Sequence, residues 1–104
     1  MSELDVNRLL LQFEQLVREI NRAEINPNIP ELKLEDLNPV VSMVARARAR
    51  YLKELFELAS VSQEPGPEQI KKLQNFRQCY EELSEGAQAL EIAIERGYLD
   101  VMTH

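Results

Sequence analysis

Apolar positions recur at steps of three and four through most of this chain, and that period predicts helices rather than strands. At 100° per residue, Val6, Leu9, Leu10, Phe13, Leu16, Val17, Ile20 and Ala23 fall in one arc of roughly 140°, with Asn7, Arg8, Gln12, Gln15, Arg18, Glu19 and Arg22 outside it. Ser2 precedes this run as a side-chain cap, with Asp5 in the first turn where a carboxylate suits the positive end of the helix dipole. A first helix over residues 3–25 follows. Leu4 and Leu11 fall on its polar side, as single surface leucines often do.

Asn26-Pro27-Asn28-Ile29-Pro30 cannot extend that helix, because each proline lacks an amide donor and biases the preceding residue towards extended backbone. The connector 26–38 carries Ile29, Leu32, Leu34 and Leu37, too many apolar groups for a solvated loop. It is expected to pack on the body and to hold at most one helical turn. Asn38-Pro39 reads as cap and first helical residue of a second helix over 39–60. Its wide apolar face holds Val40, Val41, Val44, Ala47, Tyr51, Leu52, Leu55, Leu58 and Ala59, and Arg48 points into the middle of it. A charge there must be paired, snorkelling or at an interface, and a hairpin closed at Pro65 brings it level with Cys79 and Tyr80. The Tyr80 hydroxyl and Glu82 are the internal partners within reach.

Gln63-Glu64-Pro65-Gly66-Pro67 is a turn, after which Ile70, Leu73, Phe76, Tyr80, Leu83, Ala87, Leu90 and Ile94 define a third helix over 67–96. Gly86 is a place where it can kink, and Gly97-Tyr98 looks like its C-terminal stop. Short connections favour an antiparallel up-down-up three-helix bundle, all-α, forming one domain over 1–104. At 1.5 Å per residue the third helix outruns the others by roughly two turns. Its far end, with Leu90, Ile92, Ile94 and Tyr98, then needs cover: either a bend at Gly86 that lays it on the connector, or a second subunit that completes a larger bundle.

Composition narrows the functional classes. The chain has 104 residues, 44% hydrophobic and 29% charged, within the range of folded soluble domains. Twelve basic against 18 acidic residues give a net charge of −6, which disfavours phosphate backbones and anionic lipid. The acidity is uneven: residues 1–60 hold 8 basic and 10 acidic groups, residues 61–104 hold 4 and 8. No apolar run approaches the length of a membrane span, and the acidic start Met1 to Asp5 is unlike a signal peptide, so a cytoplasmic protein is expected. One cysteine, Cys79, and one histidine, His104, offer neither an internal disulfide nor a nucleophile relay. Cys79, beside the apolar stripe, reads as a small buried hydrophobe.

Two motifs remain. Arg46, Arg48, Arg50 and Lys53 form a basic stripe suited to phosphate or to an acidic partner, though Arg50 and Lys53 also stand one turn before Glu54 and Glu57. Glu81-Glu82-Leu83-Ser84-Glu85 sets carboxylates one helical turn apart and, with Ala87 to Glu91, is similar to the first half of the metal motif of all-α nucleotide pyrophosphatases of the MazG and dUTPase kind. That resemblance implies magnesium-dependent hydrolysis, but the second acidic pair, E-x-x-D, has no counterpart, since Gly97 stands three positions before Asp100. The expected function is therefore a non-catalytic interaction module of adaptor, chaperone-like or regulatory kind, with no metal and no cofactor. Its contacts, to another protein or to itself as a homodimer, are expected through Arg46, Arg48, Arg50, Leu90, Ile92, Ile94 and Tyr98. A hydrolase using the acidic string and a weak nucleic-acid binder using residues 46–53 are the alternatives.

Overall fold

A computed structural model describes residues 2–29, 31–61 and 63–102. They form three long helices, α1 (Glu3–Ile25), α2 (Leu34–Val61) and α3 (Pro67–Glu95), with a single 3-10 turn at Asn26–Asn28 and no strand among the described residues. The chain is all-α, as an all-α helical bundle requires, and its contacts divide it into two compact units. One comprises residues up to Leu34 together with those from Glu91 onward; the other is Glu35–Leu90.

In the first unit, α1 starts as its sequence directs: the Ser2 hydroxyl accepts from the Asp5 amide at 3.2 Å, and Glu3 and Asp5 occupy the first turn. It ends at Ile25, where Pro27 forces the tighter 3-10 turn. Asn28 closes that turn by donating to the Glu24 carbonyl at 2.7 Å. The last part of α3 stops in a Schellman motif. The Tyr98 amide donates to the Ala93 carbonyl at 2.9 Å and the Gly97 amide to Ile94 at 3.2 Å, with Gly97 at φ 71°. The chain then turns back to the connector. The Leu32 amide donates to the Asp100 carbonyl at 2.9 Å and the Met102 amide to the Leu32 carbonyl at 2.7 Å, a one-residue parallel bridge between Leu32 and Val101. Ala93, Tyr98 and Leu99 are the buried residues of this unit.

α3 runs unbroken through Gly86. The connector is met by the segment after Gly97; Tyr98 is 8% exposed, and Leu90 and Ile94 are half-buried.

In the second unit, α2 and α3 form an antiparallel hairpin. α2 begins five residues earlier than Pro39 suggested, and the proline sits inside it. The cost is small because the amide that Pro39 lacks would have served the Glu35 carbonyl, on an exposed turn next to the helix end where water can serve instead. Glu35 and Asp36 also gain the positive end of the dipole. Asn38, read as a cap, lies within the helix and accepts from the Ser42 hydroxyl at 3.2 Å. At the other end of the hairpin, Gly66 caps α3: its amide donates to the Gln69 side chain at 2.8 Å and its carbonyl accepts from Ile70. Only half of the wide apolar face of α2 is used in packing. Ala47 and Leu58 are buried and Val40, Val44, Tyr51 and Glu54 are half-buried, whereas Val41, Leu52, Leu55 and Ala59 stay exposed.

Candidate interaction surfaces

α1 contains no buried residue. Its apolar arc was expected to face a core, yet Val6, Leu9, Leu10, Phe13, Leu16 and Ile20 are all exposed, Leu9 at 58% and Phe13 at 61%. The tail of the chain runs along the adjacent side of the helix. There Phe13, Glu14, Val17 and Arg18 line a hollow with Arg96 and Tyr98, and Val17, Asn21 and Ile25 are the half-buried positions of α1.

A polar clasp secures that tail. Arg22 donates to the Gly97 carbonyl at 3.0 Å and to Asp100 Oδ1 at 2.6 Å, and the Asn26 amide donates to Asp100 Oδ2 at 3.1 Å. The bonds from Arg22 and Asn26 hold the Asp100 carboxyl below its usual pKa of 3.8. The Arg96 guanidinium, hydrogen-bonded to Tyr98, is raised and stays charged throughout the accessible pH range. Neither Arg22 nor Asp100 stood out in the sequence; they lie 78 positions apart, and no local pattern links them.

In the α2–α3 hairpin, Arg48 meets Tyr80, one of the two internal partners that the hairpin register offered. Its Nε donates to the Tyr80 hydroxyl at 3.2 Å, and its guanidinium carbon lies 5.2 Å from the centre of the Tyr80 ring, which also stacks on Tyr51 with ring centres 6.3 Å apart. Arg48 tolerates its place on the apolar face because it lies on the open half of that face and keeps contact with water. Lys53 reaches Glu57 at 3.8 Å, as its spacing suggested. Glu54, in contrast, turns to Lys72 of α3 at 3.5 Å rather than to Arg50. Arg46 and Arg50 are exposed and make no ion pair among the described residues.

The remaining sequence candidates are distributed as follows. Ile92 is 42% exposed, whereas Leu90 and Ile94 are half-buried and Tyr98 is buried. Glu81, Glu82 and Glu85 lie on an exposed face with Gln78 and Cys79, and Glu81 pairs with Arg77 at 3.6 Å. Cys79 is exposed rather than buried, because it lies at the edge of the α3 stripe, about 80° from its centre. Among the described residues no group of three or more His, Cys, Asp or Glu side chains is placed to hold a metal ion. His104 lies outside the described residues. No described helix is long and apolar enough to cross a membrane. No protein-family model, curated protein or solved structure matches the chain.

Proposed function

We propose that this chain is a non-catalytic helical interaction module, acting in the cytoplasm as an adaptor, chaperone-like or regulatory protein, and that its principal docking surface is the apolar face of α1. The observation that carries this reading is the continuous exposure of Val6, Leu9, Leu10, Phe13, Leu16 and Ile20 on one helix with no buried residue. An amphipathic helix draws most of its stability from burying its apolar stripe, so a stripe left open marks a place where something else is to be buried. These side chains, each about half exposed and worth roughly 150–250 Å² in full for the largest, leave on the order of 600 Å² open. At about 25 cal/mol per Å² this represents about 15 kcal/mol of gross burial, enough to meet an association cost of roughly 4–15 kcal/mol.

This moves the contact surface away from the end of α3, where Tyr98 is buried by its own chain, and leaves Ile92 as the exposed apolar side chain there. The test is photocrosslinking in living cells. A crosslinking amino acid at Leu9 or Phe13 is expected to give a discrete protein adduct, identified by mass spectrometry, and one at Arg8 or Gln15 on the polar side is not. Equal labelling from both sides, or none from either, rejects the reading.

A further inference from the structure

We infer that α1 and the connector form an acceptor site for a short extended segment in which an apolar residue is followed by an aspartate. Residues 98–102 fill this site in cis, and a partner protein that bears such a segment displaces them. The acceptor uses Arg22, Asn26 and Leu32 rather than the open apolar stripe of α1, so the inference stands apart from the docking surface proposed there.

The occupant is visible, so its chemistry can be read from its contacts. Leu32 uses both of its backbone groups: its amide donates to the Asp100 carbonyl at 2.9 Å and its carbonyl accepts from the Met102 amide at 2.7 Å. This is how an extended peptide adds to an exposed backbone edge, and by itself it holds any sequence. Selection comes from the side chains. Arg22 donates to Asp100 Oδ1 at 2.6 Å and Asn26 to Oδ2 at 3.1 Å, so both carboxylate oxygens are engaged, while the second Arg22 nitrogen donates to the Gly97 carbonyl at 3.0 Å. Charge-assisted bonds of this kind favour an acid over a neutral residue. Leu99, 3% exposed, is the apolar anchor, whereas Val101 is 42% exposed and contributes backbone only.

The fastening is of a kind that can be exchanged. Arg22 and Asp100 are 45% and 55% exposed, and exposed ion pairs are weak and screened by salt. The bridge is one residue long. The segment leaves α3 at Gly97, whose φ of 71° and open surroundings make it a pivot. Arg22 and Asn26 keep their places without the segment, because the Asn26 amide donates to the Arg22 carbonyl and the Ile29 amide to the Ile25 carbonyl. A second copy gains nothing by the exchange: its own segment already makes the same contacts, at an effective concentration on the order of millimolar. A different protein that adds contacts beyond the segment does gain, and the resident segment is then an autoinhibitory occupant.

The test uses the full chain and, as probe, a fluorescein-labelled peptide of residues 96–102. In anisotropy titrations the peptide is expected to bind an Asp100→Ala chain about tenfold more tightly than the unmodified chain, where the resident segment competes. Alanine in place of aspartate in the peptide should weaken binding about tenfold, and a chain carrying Arg22→Ala with Asp100→Ala should no longer distinguish the two peptides. Circular dichroism accompanies each variant; where Asp100→Ala loses helicity, Asp100→Asn replaces it with the same expectations. No binding of millimolar peptide to the helical variant overturns the site, as does equal binding of a scrambled peptide. From a cell extract, immobilised Asp100→Ala chain should retain a protein that the aspartate peptide releases and the alanine peptide does not; release by neither overturns the partner. A dimer of the unmodified chain, seen by light scattering and dissolved by Asp100→Ala, means that copies exchange the segment between themselves and likewise overturns the partner. None of these outcomes bears on crosslinking from Leu9 or Phe13, so the two readings fail separately.

Discussion

Leu99→Ala tests whether the segment after α3 is part of the core or a loose end. Leu99 is the most deeply buried apolar residue described, at 3% exposure. Truncation to alanine removes three carbons, worth about 2.4 kcal/mol at roughly 0.8 kcal/mol per buried methylene. A cavity term adds to this, because the site can relax only partly. Leu99 is held from one side by the Schellman bonds at Gly97 and Tyr98, and from the other by the Leu32 bonds to Asp100 and Met102. A residual void of about 40 Å³ at about 24 cal/mol per Å³ costs about 1 kcal/mol more. The expected loss is therefore about 3 kcal/mol. Urea unfolding followed by circular dichroism reads it: with a slope of about 1.5 kcal/mol per molar, the midpoint falls by about 2 M. Val101→Ala is the control, since Val101 is exposed though its backbone makes the bridge to Leu32, and its loss should stay within about 1 kcal/mol. Leu99→Ala matching Val101→Ala, or shifting stability by less than about 0.5 kcal/mol, refutes the assignment of this segment to the core.

Further outcomes follow from other positions. Gly97→Ala should destabilise by about 1–2 kcal/mol, since its φ of 71° suits no side chain even though nothing lies within 4 Å of an added Cβ, whereas Gly86→Ala, helical and with equally open space, should stabilise by about 0.5–1 kcal/mol; paired thermal melts show whether the two signs differ. Asp100→Asn should destabilise at neutral pH, and the difference from wild type should disappear in acid. The folded pKa is lowered, so the stability from this carboxylate is complete above its ordinary 3.8 and is lost as pH falls through the lower folded value; a gap that persists below pH 2 in denaturant titrations contradicts the clasp. Arg48→Ala should cost about 0.5–1 kcal/mol and Tyr80→Phe less, because the phenylalanine ring keeps the cation–π contact. A double-mutant cycle between Arg48→Ala and Tyr80→Ala showing no coupling removes that contact from consideration.

Signals confined to one or two helical turns were readable directly. Ser2 and Asp5 marked the start of α1, Pro27 its end, Pro67 the start of α3, and Gly97-Tyr98 its Schellman stop. Each is a preference of backbone and side chain for a conformation available to the segment by itself. Pro39 misled because the sequence shows a missing donor but not whether the orphaned carbonyl is near water, and at the exposed first turns of α2 it is. The Tyr80 contact of Arg48 was foreseeable because a hairpin closed at Pro65 fixes which residues stand level. That Arg48 stays exposed was not, since this depends on which half of the α2 face packs on α3.

Periodicity thus determined that the chain makes three amphipathic helices and which residues share a face on each. It did not determine which faces are covered. The tail reaches back across 78 positions to place Asp100 on Arg22, bury Tyr98 and Leu99, and remove them from the surface, while the strongest apolar stripe, on α1, is left open. The physical reason is that helical period and capping are local properties of a few neighbouring residues. Burial is a competition among all apolar surfaces for a limited number of contacts, and only the folded chain decides which of them wins.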